Sequence, residues 1–139
     1  MTEPVRGLAG WHLVVQGRDA SQLSELLADD VVFRSPVVFS PQVGKDLTTM
    51  YLTGAMHVLA NEKFRYVREV TTGPDAILEF TTEVDGVTIN GVDMIRFDED
   101  GRIVDFTVMV RPLKAMLTLQ ARMAALLADL QRGAAPGAP

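Results

Sequence analysis

Cysteine is absent from the 139 residues, which excludes a disulfide framework, a thiolate nucleophile and any cysteine-held metal. Histidine occurs twice, at His12 and His57, with neither HxH nor HxxxH spacing and no acidic cluster joining the pair, so no metal pattern is present. Aromatic residues make up 6% of the chain, and Trp11 is the one tryptophan. Lysine and arginine are scattered singly. They number 13 against 18 Asp plus Glu, a formal charge of −5, which leaves no basic footprint for nucleic acid or an anionic membrane. No apolar run approaches a membrane span, and the opening MTEPVRGLAG lacks the basic-then-apolar order of an export signal. These absences read as a soluble, cytoplasmic protein. With 47% apolar and 22% charged residues the chain is too hydrophobic for disorder, and a chain of this length buries about 68–70% of its unfolded surface.

Val5, Leu8, Trp11, His12 and Val15 recur at helical spacing, predicting an amphipathic helix over Val5 to Gln16. Asp19 or Ser21 can cap a second, short helix carrying Leu23, Leu26 and Leu27. Val31 to Phe33 then read as a short strand. Pro36 and Pro41 bracket an irregular loop, and a third helix follows over about residues 45 to 60, with Leu47, Tyr51, Ala55, Val58 and Leu59 on one side. Four strands are expected near 64–71, 76–84, 87–97 and 103–111, separated by Thr72-Gly73-Pro74, Asp85-Gly86 and Glu99-Asp100-Gly101. After Pro112 the period returns to helical, with Leu113, Met116, Leu117, Met123, Leu126, Leu127 and Leu130 as the apolar stripe of a long helix over 113–131. Residues 133–139, GAAPGAP, read as a disordered tail, leaving one domain over 1–132. Helices followed by an antiparallel meander give an α+β domain whose sheet buries one face against the helices.

Strand parity predicts that face. Ala76, Leu78, Phe80, Thr82 and Val84 point inward, opposed by Glu79, Thr81 and Glu83. In the last strand Val104, Phe106, Val108 and Val110 oppose Asp105, Thr107, Met109 and Arg111. In 87–97 the inward set is Ile89, Gly91, Asp93, Ile95 and Phe97, which puts an ionisable carboxyl on an apolar face. A carboxylate there must be hydrogen-bonded as a charge or held protonated, and either state suits acid–base chemistry. Two alternatives stay open: a bulge at Gly91 that flips the parity, or a purely structural Asp93 that accepts from the Trp11 indole N–H or a loop amide. His57 lies beside the third helix's apolar stripe, and His12 shares a face with Trp11. Ser35 has no GxSxG elbow and no base near it in sequence, which argues against a serine nucleophile.

The order of helix, short helix, D-D-V-V-F-R-S-P, a loop with Gly44, helix and meander, together with G-V-D-M-I-R-F-D-E-D-G-R-I, resembles the nuclear transport factor 2-like superfamily. Within it the chain is most similar to the SnoaL-like and ketosteroid-isomerase-like branch, over about residues 5 to 111. The resemblance implies a cone-shaped curved sheet around a pocket capped by the N-terminal helices, and a homodimer formed through the outer sheet face. Val92, Met94 and Met109 suit that interface. It also implies that Asp93, in V-D-M-I-R-F where the family has I-D-H-F-R-F, holds the oxyanion-hole aspartic acid position. Trp11 stands where the family has its oxyanion-hole tyrosine. The general-base aspartate that precedes the proline is Ser35 in R-S-P, and a hydroxyl without a base beside it does not shuttle protons near pH 7. The epoxide-hydrolase branch would need an inward carboxylate between Ile103 and Arg111, and there is none. The long last helix is similar to that of uncharacterised bacterial members, and is expected to fold back over the sheet edge or a partner subunit.

Two functions follow from this reading. In the first, the pocket binds a small, largely apolar organic molecule, steroid-, polyketide- or lipid-like, and performs isomerase, cyclase or dehydratase chemistry at Asp93. Trp11 is then donor and wall, Phe33, Tyr51, Phe80, Phe106 and Val108 the apolar lining, and Ser35 and His57 polar contacts. In the second, the domain binds or scaffolds without catalysis. Neither calls for a cofactor.

Overall fold

A computed structural model describes residues 7–131, so the expected helix start at Val5 and the tail 133–139 lie outside the described residues. Helix α1 covers Leu8–Gly17 and buries Leu8, Trp11, Val14 and Val15. Asp19 then caps a short 3-10 helix, Ala20–Leu26, by accepting a hydrogen bond from the Ser21 N–H at 2.9 Å. Strand β1, Leu27–Arg34, starts earlier than periodicity indicates. Leu27 belongs to it, and Asp29 and Asp30 are pushed out to solvent where its register against the neighbouring strand slips between Leu27 and Val32. That irregularity hides the strand's first half from an alternation test. A two-residue strand β2, Gln42–Val43, precedes helix α2, Lys45–Leu59.

The meander is as read: β3 Arg65–Thr72, β4 Asp75–Val84, β5 Val87–Phe97 and β6 Ile103–Arg111. The curved, open sheet has six strands in the order β2-β1-β6-β5-β4-β3. Every pairing is antiparallel except β1 with β6, which is parallel. Burial alternates along β4 and β5 on the expected faces, and the β4–β5 register runs unbroken from Asp75↔Arg96 to Val84↔Val87, so no bulge forms at Gly91. Gly91 instead makes room. It pairs with Phe80, and a Cβ there would overlap the Phe80 ring. In β6 the expected parity fails at its start: the register slips between Arg96 and Phe97, which turns Ile103 inward and leaves Val104 half-exposed.

Helix α3, Leu113–Gln131, departs most from its expected face. Leu113 and Leu117, placed on the stripe, are exposed, and the buried residues are Ala115, Leu119 and Leu126. The helix folds back within its own chain against α2, β5 and β6. Gly54 of α2 allows the approach, since the Met123 and Leu126 side chains lie 3.1 and 3.3 Å from where a Cβ would stand. Among the described residues no helix is long and apolar enough to cross a membrane.

Candidate functional site

The inner sheet face and the three helices enclose a cavity of about 280 Å³. That lies near the lower end of the ~300–1,000 Å³ usual for small-molecule pockets. Two aromatic groups form much of its wall. On one side Trp11 meets Phe106 edge-on at 4.9 Å, and Phe33 sits 6.0 Å from Tyr51 and 6.1 Å from Phe106. On the other, Phe64 stacks on Phe80 at 5.2 Å and meets Tyr66 edge-on at 5.1 Å. The loop after β1 contributes Ser35 to Val38, and α3 closes the remaining side with Leu119, Gln120, Met123 and Leu127.

Asp93 opens into this cavity from the middle of β5 and is 6% exposed. Its Oδ2 accepts a hydrogen bond from the Tyr66 hydroxyl at 2.5 Å, and the Tyr66 oxygen accepts one from the Trp11 indole Nε1–H at 2.9 Å. The three side chains thus form a relay that runs from α1 over β3 to β5. Burial raises the Asp93 carboxyl to about 7, against a smaller lowering by the Tyr66 hydrogen bond. Tyr66 is pushed well above the usual phenol range, first by burial and then by the adjacent Asp93, so it remains a donor at any ordinary pH. A carboxyl poised near neutrality can give or take a proton, and its neighbours are arranged to hold it in place.

Of the residues singled out from sequence, Trp11, Phe33, Ser35, Tyr51, Phe80, Asp93, Phe106 and Val108 all line the cavity. His57 does not. It projects to solvent from α2, because the helix turns Leu52, Met56 and Leu59 inward and position 57 falls between them. Leu47, read as part of the same stripe, is exposed as well. Trp11 meets Asp93 through Tyr66, and not directly as the structural alternative required. Ser35 lines the cavity with its Oγ accepting the Val37 N–H at 3.0 Å, a local turn contact, and among the described residues no acid or imidazole is hydrogen-bonded to it. Tyr66 is the residue that sequence reasoning missed. Its strand gives no clean alternation, since β3 is exposed along most of its length and its register against β4 slips between Tyr66 and Arg68. The signal available was the Phe64/Tyr66 pair at period two. Among the described residues no three His, Asp or Glu side chains gather where a metal could be held.

The SnoaL-like domain family matches residues 8–106, which include α1, the Asp93 strand and the aromatic wall. The chain belongs to the SnoaL-like domain family. A steroid delta-isomerase from Pseudomonas aeruginosa is similar in structure, at 41% identity over 91% of this chain and 92% of that one, with a TM-score of 0.86. A bacterial protein with a cystatin-like fold from Silicibacter pomeroyi is 35% identical over 90% of this chain and 88% of that one, with a TM-score of 0.82. More distant in sequence, a protein described as a SnoaL-like polyketide cyclase, from Shewanella denitrificans, shares the fold at 17% identity and a TM-score of 0.62, covering 82% of this chain and 94% of that one. No curated protein matches the sequence. In this SnoaL-like chain the C-terminal helix α3 lies beyond the matched residues and still supplies one side of the cavity.

Proposed function

We propose that this SnoaL-like protein binds one small, largely apolar molecule bearing a carbonyl or hydroxyl oxygen, and that Asp93 transfers a proton to or from it. The observation that carries the reading is a single carboxyl, raised to about 7, facing a largely apolar cavity and held by Tyr66, which Trp11 holds in turn. The likeness to a steroid delta-isomerase favours a fused-ring ketone among the possible ligand classes, ahead of polyketide- or fatty-acid-like ones. Isomerisation needs one group to move the proton and donors to stabilise the oxyanion. Here Ser35 occupies the position of the family's base, so the proton-moving role falls to Asp93.

Trp11 lines the cavity and is the one tryptophan, so its fluorescence reports occupancy. Titration with a 3-keto-Δ5-steroid is expected to quench it saturably. Formation of the conjugated enone should follow a pH profile with a midpoint near 7, and Asp93→Asn should slow turnover by about 10²-fold or more. Absence of quenching by steroid, aromatic polyketide and fatty acid alike would overturn the binding reading. Quenching without turnover would support the second reading, a non-catalytic binding domain, which the Ser35 substitution and the lack of a second carboxyl among the described lining residues favour.

We further propose that two copies pair through the outer sheet face. There Ile77 and Met94 lie cross-strand, Val92 pairs with Met109, and ion pairs flank this apolar patch. The Asp75–Arg96–Asp105 row borders it, with Arg96 paired to Asp75 and Arg34 reaching Asp105 from β1, and the Arg68–Glu79 pair ends the Val92–Met109 row on β3 and β4.

A further inference from the structure

Helix α3 presents one stripe to the cavity: Gln120, Met123, Ala124 and Leu127 follow one another at helical spacing, and all four line it. Gln120 breaks this stripe much as Asp93 breaks the apolar face of β5. Among the described residues it is the one polar side chain that α3 gives to the cavity. The stripe lies beyond residues 8–106, so it is no part of the matched SnoaL-like domain.

Burial tells the two ends of the cavity apart. Trp11, Phe80, Asp93 and Phe106 are buried, whereas Val38, Gln120 and Ala124 are exposed and so mark where the cavity meets solvent. Arg122, two residues after Gln120, pairs with Asp85 in the β4–β5 turn at 2.8 Å. That contact holds this part of α3 near the end of the hairpin, while Asp93 stands in the middle of β5.

Hydrogen bonding separates the polar lining groups as well. Trp11, Tyr66 and Asp93 are bonded in a chain, and the Ser35 Oγ accepts the Val37 N–H. The Gln120 amide and the Tyr51 hydroxyl have no hydrogen-bond partner among the described residues. Tyr51 is half-buried in the aromatic wall, 6.0 Å from Phe33, whereas Gln120 stands at the exposed rim. An amide both donates and accepts, so it pairs with a hydroxyl or a carbonyl. No Lys or Arg is among the described lining residues to favour a charged group instead.

We propose that Gln120 is a specificity-determining residue that hydrogen-bonds a second, neutral oxygen at the outer end of the ligand. The cavity then takes an apolar body with one oxygen at Asp93 and another at the mouth. This inference rests on the apolar-cavity reading given above and adds to it the chemistry of the ligand's far end.

The test measures affinity by equilibrium dialysis for two matched pairs of compounds that differ at the far end. One pair is androst-4-ene-3,17-dione and androst-4-en-3-one, and the other, of shorter span, is 6-(hydroxymethyl)-2-naphthol and 6-methyl-2-naphthol. Each is bound to wild type, Gln120→Leu and Tyr51→Phe. In Gln120→Leu the preference for the doubly oxygenated member is expected to fall about 3- to 10-fold in the pair whose span fits, through weaker binding of that member. The singly oxygenated member should bind Gln120→Leu at least as well as wild type, which shows that the variant folds. Taking the ratio within a pair cancels any general effect of the substitution on the apolar surface. An unchanged preference in both pairs overturns the proposal, and so does a preference lost in Tyr51→Phe but kept in Gln120→Leu. Failure of all four compounds to bind wild type overturns the apolar-cavity reading, and this inference with it.

Discussion

Burial raises the Asp93 carboxyl to about 7, whereas the same group in the unfolded chain titrates near 3.8. Between those values the folded protein holds a proton that the unfolded chain releases. Its contribution to stability is therefore complete below pH 3.8 and is lost as pH rises through 7, by about 4 kcal/mol in all. Urea denaturation of wild type and Asp93→Asn from pH 4 to 8 should show their stability difference falling by that amount, and parallel curves would contradict the assignment. Tyr66→Phe should move the loss to higher pH, since the hydrogen bond from Tyr66 is what holds the carboxyl down. At this scale the sequence was informative where a residue broke a pattern. Asp93 stood out because everything else on its face of β5 was apolar or glycine. Tyr66 broke nothing, and its importance comes from a contact between positions 27 residues apart that no local pattern encodes.

Helix α3 is where element-level reasoning stopped short. Its existence and length follow from period and from Pro112, whose carbonyl accepts the Met116 N–H in the first turn. Its buried face does not follow, because leucines lie on several sides of the helix and packing against Gly54 decides among them. The same limit explains α2, whose inward face includes Leu52 and Met56 where periodicity favoured Leu47. By contrast β4 and β5 were legible almost residue by residue, since a strand has two faces and their polarity differs along its length. Truncation after Arg111 removes the burial of Leu119 and Leu126, worth roughly 3–6 kcal/mol together. It also opens the cavity wall that α3 supplies. We expect a lower melting temperature and strong binding of an apolar dye, and a truncated chain that melts like wild type would show that α3 is dispensable to the fold.

For the whole molecule, the outer sheet face makes the larger prediction. Met109 is 56% exposed in the single chain, beside Val92 in a row that the Arg68–Glu79 ion pair ends. Met109→Glu should convert a dimer seen by analytical ultracentrifugation into a monomer with its ligand quenching intact, because Met109 points away from the cavity. A wild-type chain that sediments as a monomer at every concentration would remove the dimer from the account. Composition, charge and element order gave the architecture, but the hydrogen-bonded chain behind the site needed the folded molecule, since Trp11, Tyr66 and Asp93 come from α1, β3 and β5.

The parallel pairing of β1 with β6 also governs how the protein is made. β3 to β6 can zip up in sequence as adjoining hairpins. β1 has to wait, since the partner of Phe33 is Phe106, more than half the chain away. A nascent chain leaving the ribosome therefore carries α1, β1 and α2 with their apolar sides uncovered until almost the last strand has emerged. Synthesis passes through its most aggregation-prone interval late, and that interval ends when β6 closes the gap between the two halves of the sheet.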